Sequence, residues 1–248
     1  MPENRKPLIL AIETSTRAGS VSLARGGEVL SAVLGDGASS HSTDLIKNVE
    51  QVLRQGSAKL IEIDLFAVTV GPGSFTGLRI GLATVKAFAV CVEKPCVAVS
   101  TLAAIAHAAG DSERTIAILP AGRGEVYAQA FSVRSEIVSA LDSASHIKPV
   151  ELLGKYGNAQ TIRWAGEGAH QHLAILRQGG GANWISHVGG EPADWSVAPQ
   201  SEHLANSVAA LALADYRDGK ATDAGGLKAD YVRASDAEIN QRWLQLNS

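Results

Sequence analysis

Val68 Thr69 Val70 Gly71 Pro72 Gly73 Ser74 Phe75 Thr76 Gly77 Leu78 Arg79 Ile80 Gly81 joins an apolar strand to a glycine-rich turn and then to an apolar helix. That order is the layout of a phosphate-binding turn. Gly71 and Gly73 let a ligand approach the backbone closely, and the helix that follows points free N–H groups at any anion held there. The spacing is neither the Walker order nor a clean G-x-G-x-x-G, so a purely structural tight turn stands beside the phosphate reading. Ser74 and Thr76 serve either reading as helix cap or phosphate contact, because no histidine and acid recur at a spacing that suggests a triad.

Working outward, Leu8 Ile9 Leu10 Ala11 Ile12 reads as a buried strand running into Glu13 Thr14 Ser15 Thr16. Gly19 to Ala24, the turn Arg25 Gly26 Gly27 and the returning Glu28 to Val33 read as a hairpin. A strand ending in an acid followed by Thr-Ser, then a glycine and a hairpin, resembles the opening of actin-like and sugar-kinase-like ATPase domains. The resemblance implies a carboxylate at Glu13 that orients a metal-bound water, with the hydroxyls of Thr14 and Ser15 on phosphate.

Ile12 Glu13 Thr14 Ser15, His41 Ser42 with Leu45 Ile46, Gly71 Pro72 Gly73 Ser74 Phe75 Thr76 Gly77 Leu78 Arg79 Ile80 Gly81, Val99 Ser100 Thr101 Leu102, and Gly122 Arg123 Gly124 Glu125 Val126 Tyr127 resemble, in that order, the bacterial TsaB (YeaZ) family. A later Tyr231 Val232 Arg233 is similar to the family's Tyr-Leu-Arg ending. Pro120 stands where an aspartate is usual, and Ala229 where a proline is common. The resemblance implies an α/β fold of the actin-like ATPase (ASKHA, ribonuclease H-like) type with two tandem lobes. It implies a part in forming N6-threonylcarbamoyladenosine (t6A) at position 37 of tRNAs that read ANN codons, as a non-catalytic subunit beside TsaD and the ATPase TsaE. In the catalytic relative TsaD two histidines four apart hold iron. Counting from the shared Gly-Pro-Gly puts Thr101 and Ile105 there, and isoleucine has no donor atom.

Within 248 residues, two lobes each have room for a core. A formal net charge of −3, with no local cluster of Lys and Arg, gives no field for nucleic acid, so tRNA is expected to bind only through a complex. Cys91 and Cys96 flank Lys94 Pro95 and read as buried thiols rather than half of a zinc site. No stretch reads as charge-free and long enough to span a bilayer, and the polar start lacks a cleavage pattern. A cytoplasmic protein is expected.

The pattern predicts a first lobe over 1–110, a second over 111–200, a helix over 201–219 returning to the first lobe, and a tail over 220–248. Ser42 or Thr43 is expected to cap a helix with a stripe of Leu45, Ile46, Val49, Val52 and Leu53. The next helix, from about Gly77 to Val92, is apolar nearly all round, so a second covering surface is expected for it. In the second lobe, Thr115 to Leu119, the turn Gly122 Arg123 Gly124 and Val126 to Val133 repeat the opening hairpin. A helix opened by Pro149, a strand from Thr161 to Ala165, a helical stretch at Ala169 to Leu176 and a loop over Gln178 to Gln200 follow. Ser201 is expected to cap the returning helix, which Gly219 closes.

The expected sites are a degenerate phosphate cleft at Glu13, Thr14, Ser15, Gly71, Gly73 and Ser74, and a partner face at Leu45, Val49, Val52, Val85, Phe88 and Ala89. TsaD is expected on that face, with a homodimer through the same surface when the chain is alone. No cofactor is expected to be required, although weak or shared nucleotide binding in a complex is compatible with the cleft, and no metal or membrane is expected. His41 reads as a helix-entry histidine bonded to a backbone carbonyl, His107 as a packed or surface histidine, and His170 and His172 as solvated. Glu125 and Arg123 are either a strand-entry charge pair facing water or the border of the cleft. An active ATPase or small-molecule kinase, a metalloprotease and a homodimeric binding module remain as alternatives.

Overall fold

The computed structural model describes residues 6–36, 41–180 and 195–232. Its first sheet has β1 (Leu8–Glu13), β2 (Ser20–Arg25), β3 (Glu28–Leu34), β4 (Leu65–Gly71) and β5 (Cys96–Ser100), in the order β3-β2-β1-β4-β5. β1 pairs antiparallel with β2 and parallel with β4, and β4 pairs parallel with β5. Every residue of β1 and β4 is buried, which is why both read as continuous apolar runs and not as alternating ones.

The second sheet repeats this plan. β6 (Ser112–Gly122) and β7 (Glu125–Arg134) form its hairpin, β8 (Ile137–Ala140) is the third strand, and β10 (Ile162–Ala165) and β11 (Trp195–Val197) extend the other side in parallel. Its order, β8-β7-β6-β10-β11, matches the first sheet strand for strand, with a short β9 (Ser145–Ile147) added against β7. Two sheets of the actin-like order, duplicated in tandem, make the fold α/β and ASKHA-type.

Helices fill three layers. α1 (His41–Gln55) and α2 (Phe75–Val92) cover the outer face of the first sheet, where Leu8, Leu10, Ile12, Phe66 and Val68 point. α4 (Glu151–Tyr156), α5 (Glu167–Gln171) and α6 (Leu173–Gly180) lie with the second sheet, and the core on its outer face takes in Leu152, Tyr156, Ala169 and Leu176. Between the sheets sit α3 (Thr101–Ala108) and α7 (Leu204–Arg217), and they are exchanged. α3, which follows the first sheet, packs on β6 and β7, while α7, which follows the second, packs on β1 and β2. Small residues permit this close approach: Ala11 and Ala67 on the first sheet meet a helix face of Ala205, Val208, Ala209 and Ala212. The exchange ties the lobes through one shared core.

Several local expectations need correction. α1 already begins at His41, so Ser42 and Thr43 lie inside it and neither is its cap. α2 begins at Phe75 rather than Gly77, capped as expected by Ser74, whose Oγ accepts from the Gly77 amide at 3.2 Å. α7 begins at Leu204, and the hydroxyl serving its first turn is that of Ser20 on β2, which accepts from the Ala205 amide at 3.0 Å. Ser201 is thereby displaced as cap by a residue distant in sequence. The stretch expected as one loop holds the end of α6 and β11, and 181–194 lie outside the described residues.

The segment after α7 is a strap across the first lobe. Thr222 and Cys96 exchange backbone hydrogen bonds at 2.7 and 2.8 Å, Leu227 is buried in the outer core, and the Asp230 amide donates to the Val70 carbonyl at 2.7 Å. The strap thus occupies backbone groups at the margin of the sheet next to β5.

Candidate functional site

β1 delivers Glu13 to the centre of the first lobe, where its side chain is 1% exposed. Its Oε1 accepts from the Ser15 amide (2.6 Å), the Ser15 hydroxyl (2.6 Å) and the Thr16 amide (2.8 Å), and its Oε2 accepts from the Thr16 hydroxyl (2.7 Å). A buried carboxylate requires such charge-assisted partners, and here Ser15 and Thr16, two and three residues further on, supply all four. Glu13 therefore holds its own loop shut. Thr14 turns the other way, under α2, where a Cβ on Gly81 would lie 2.2 Å from its hydroxyl.

The glycine-rich turn is closed in the same manner. The Ser74 amide donates to the Ser15 carbonyl at 2.8 Å, and a Cβ on Gly73 would lie 2.6 Å from that residue. Gly71 has φ +131°, and a Cβ there would stand 2.2 Å from the Asp230 carbonyl oxygen of the strap. Both glycines answer a close approach of protein to protein. Beyond them the Arg79 guanidinium lies 3.8 Å over the Phe75 ring, Phe75 packs 5.2 Å from the Tyr231 ring, and Arg79 Nε donates to the Tyr231 hydroxyl at 3.3 Å. The Gly-Pro-Gly motif and the start of the Tyr-Val-Arg motif are one contact in space. Glu13, Thr14, Ser15, Gly71, Gly73 and Ser74 are brought together, as expected, but chiefly to bind one another and the strap.

Open space lies elsewhere in the cleft. A cavity of about 430 Å³ separates the lobes, floored by Ile105, Leu119, Ala165 and Leu204, with Arg17, Glu167 and Glu202 among its polar lining. Sequence reading missed this wall of the second lobe. The signal was the repeat itself: Ala165 Gly166 Glu167 follows β10 as the glycine turn follows β4. Gly166, with φ +91°, takes a backbone that side chains rarely adopt, and a Cβ there would sit 2.4 Å from the Ile118 carbonyl. Thr101 and Ile105 are both buried in the interlobe core, Ile105 beneath the cavity.

The remaining polar candidates disperse. His107 Nδ1 is 3.0 Å from the Ser207 hydroxyl, joining α3 to α7, and burial lowers its pKa below the usual histidine value against an opposing pull from Glu136. His170 is exposed, as expected, and its Nε2 lies 3.0 Å from the Ala198 carbonyl. The side chain of His41 lies outside the described residues. Glu125 pairs with His146 at 3.0 Å, and neither it nor Arg123 lines the cavity. Cys91 is exposed, contrary to expectation. Cys96 is buried, and burial, then the Asp223 charge, raise its pKa to about 11.

Of the expected partner face, Leu45, Val49, Val52, Val85 and Ala89 are buried in the lobe's own outer core, and Phe88 packs partly buried against it. A five-residue commitment to the sheet leaves those side chains no outward role. What faces out on α1 is Ile46, 46% exposed, and on α2 Val90, 66% exposed, in a stripe with Thr76, Ala83 and Ala87. α2 is also, by length and mean hydropathy, apolar enough to cross a membrane, contrary to expectation. Its Leu78, Leu82, Val85 and Ala89 nevertheless pack toward the lobe's own interior.

Against known proteins, residues 36–224 match the family model described as TsaD, tRNA N6-adenosine threonylcarbamoyltransferase. The tRNA threonylcarbamoyladenosine biosynthesis protein TsaB of Escherichia coli is 37% identical over 122 residues, a stretch covering 48% of this chain and 52% of that protein. The chain thus spans about half the length of that relative, whereas it covers 98% of TsaB of Bacillus subtilis, at 24% identity over 96% of its own length. YeaZ from Pseudomonas aeruginosa shares the fold, with a TM-score of 0.71 over 91% of this chain and 99% of that one, at 24% identity. The motif pair that meets at Phe75 and Tyr231, the duplicated five-strand order and the extent of these matches have one consequence: the chain belongs to the TsaD family, in its TsaB (YeaZ) branch.

Proposed function

We propose that this chain is a non-catalytic scaffold or regulatory subunit for the t6A modification of adenosine 37 in tRNAs reading ANN codons, acting with TsaD and TsaE. The names of the E. coli and B. subtilis relatives support the pathway. The observation that carries the non-catalytic role is the state of Glu13. In an actin-like ATPase the strand-end carboxylate must be free to orient a water, and here four hydrogen bonds from Ser15 and Thr16 occupy both its oxygens. The adjacent turn, closed by Ser15 and the strap, presents no cradle for phosphates. Chemistry then falls to the partner, while this chain contributes a surface.

That surface is the outward side of α1 and α2, and TsaD is its occupant in the working complex; a second copy occupies it when the chain is alone. tRNA reaches the assembly through the complex, since a net charge of −3 supplies little of the phosphate attraction that dominates nucleic-acid affinity. Co-expression with TsaD of the same organism, followed by sizing and by phosphate-release assays on each component, tests the proposal. A one-to-one complex is expected, with no ATP turnover by this chain alone. Turnover by the isolated chain that Glu13→Ala abolishes would overturn it.

A further inference from the structure

At the C-terminal end of α2 the first lobe carries an open groove of about 370 Å³, lined by Ala89, Val90, Glu93, Lys94, Pro95 and Ala224. An exposed stripe of Ala83, Ala87 and Val90 leads along the helix into it. The strap meets the other end of the same helix. Tyr231 packs 5.2 Å from Phe75 in the first turn of α2, and its hydroxyl accepts from Arg79 Nε one turn further along, yet Tyr231 remains 39% exposed. The chain therefore passes Val232 on the solvent side of α2, at the start of the stripe.

Residues 233–248 lie outside the described residues, and their sequence suits that stripe. Ser235 and Glu238 stand at the spacing of a capping box, and Ile239, Trp243 and Leu246 recur at the spacing of one helical face. Lengths agree as well. Phe75 to Val90 is about 22 Å of α-helix. Extended chain from Val232 to Ser235 followed by helix to Trp243 also covers about 22 Å, which brings the indole to the groove beside Val90. Charges agree too, since α2 carries Arg79 and Lys86 and no acid, while the segment carries Asp236 and Glu238 near its start. We propose that residues 235–246 of this chain dock as a helix along the outward side of α2, with Ile239 over Ala83 and Ala87 and Trp243 in the groove, and so hold the partner face closed part of the time. This rests on the reading of that side as the TsaD docking face. The segment competes there with TsaD and with a second copy, and its release is a step of assembly.

Two measurements on the full chain test it. Acrylamide quenching of Trp243 emission, taken as the difference from Trp243→Phe, is expected to show a shielded indole in the parent and an accessible one in Val90→Glu, where the groove gains a charge. That shielding is expected to be independent of protein concentration. Titration with TsaD is expected to give about tenfold tighter binding for Trp243→Asp and for Ile239→Asp than for the parent, as follows when the face is open in about one molecule in ten, with unchanged circular dichroism. A parent indole as accessible as that of Val90→Glu, shielding that appears only as concentration rises, or TsaD binding that the two aspartate variants leave unchanged or weaken overturns the proposal. Quenching needs no TsaD, so it decides whether the segment docks even if the scaffold reading fails.

Discussion

At the level of single residues, the motif that identifies the chain is built for self-contact. Gly71 needs both a positive φ and an absent Cβ, because the Asp230 carbonyl occupies the place where one would be. Gly71→Ala is expected to cost about 3 kcal/mol, read as a lowered urea midpoint, since strain and a backbone clash add at one position. Glu13→Gln preserves shape but places an amide NH₂ among the four donors of Ser15 and Thr16, and a loss of about 2 kcal/mol is expected in the same assay. The cysteines separate cleanly. Exposed Cys91 should react with a thiol reagent at pH 8 within the native state, and Cys96, buried with its pKa raised to about 11, only on unfolding. A first reagent equivalent lost in Cys91→Ser checks the assignment. The sequence placed Glu13, Ser15 and the glycines in one site, because a strand end and a glycine turn are local signals. It gave no sign that they would saturate each other or meet Asp230 and Tyr231, since that depends on where a distant segment docks.

Among elements, the strands were legible where both faces are buried, as in β1 and β4, or where a glycine turn closes a hairpin, as in β2 and β3; β8 and β9, with no buried residue and no glycine turn before them, were not. Helix starts were misread where the satisfying group comes from another strand, as Ser20 does for α7. The exchanged pair α3 and α7 carries a titratable group in its seam. His107 pairs with Ser207 and its pKa is lowered chiefly by burial, so the folded state binds a proton less readily than the unfolded chain. Its contribution is therefore complete above the ordinary histidine pKa of about 6.5 and is lost as pH falls through that value toward the lowered one. Urea midpoints measured at pH 7.5 and pH 5.5 are expected to drop more for the parent than for His107→Gln. Equal drops would place the acid sensitivity in other groups.

For the whole molecule, five of the six side chains expected on the partner face serve its own core, and the two helices turn a different side outward. Helical periodicity revealed that α1 and α2 were amphipathic or apolar all round, but could not say which arc meets the sheet. Burial now separates them. Val85 is fully buried, so Val85→Glu should unfold the first lobe by trapping an unpaired charge, at a cost of several kcal/mol. Ile46 and Val90 are solvent-facing, so Ile46→Glu and Val90→Glu should leave the fold intact by circular dichroism. If TsaD covers the outward side of this helix pair, each charge is buried in the complex alone, and capture by TsaD should fall by about tenfold or more, since every 1.4 kcal/mol is tenfold in affinity. Self-association should weaken in parallel if, as proposed, one surface serves both assemblies. Folded Ile46→Glu and Val90→Glu variants that still bind TsaD at full strength would move the interface to another face of the molecule.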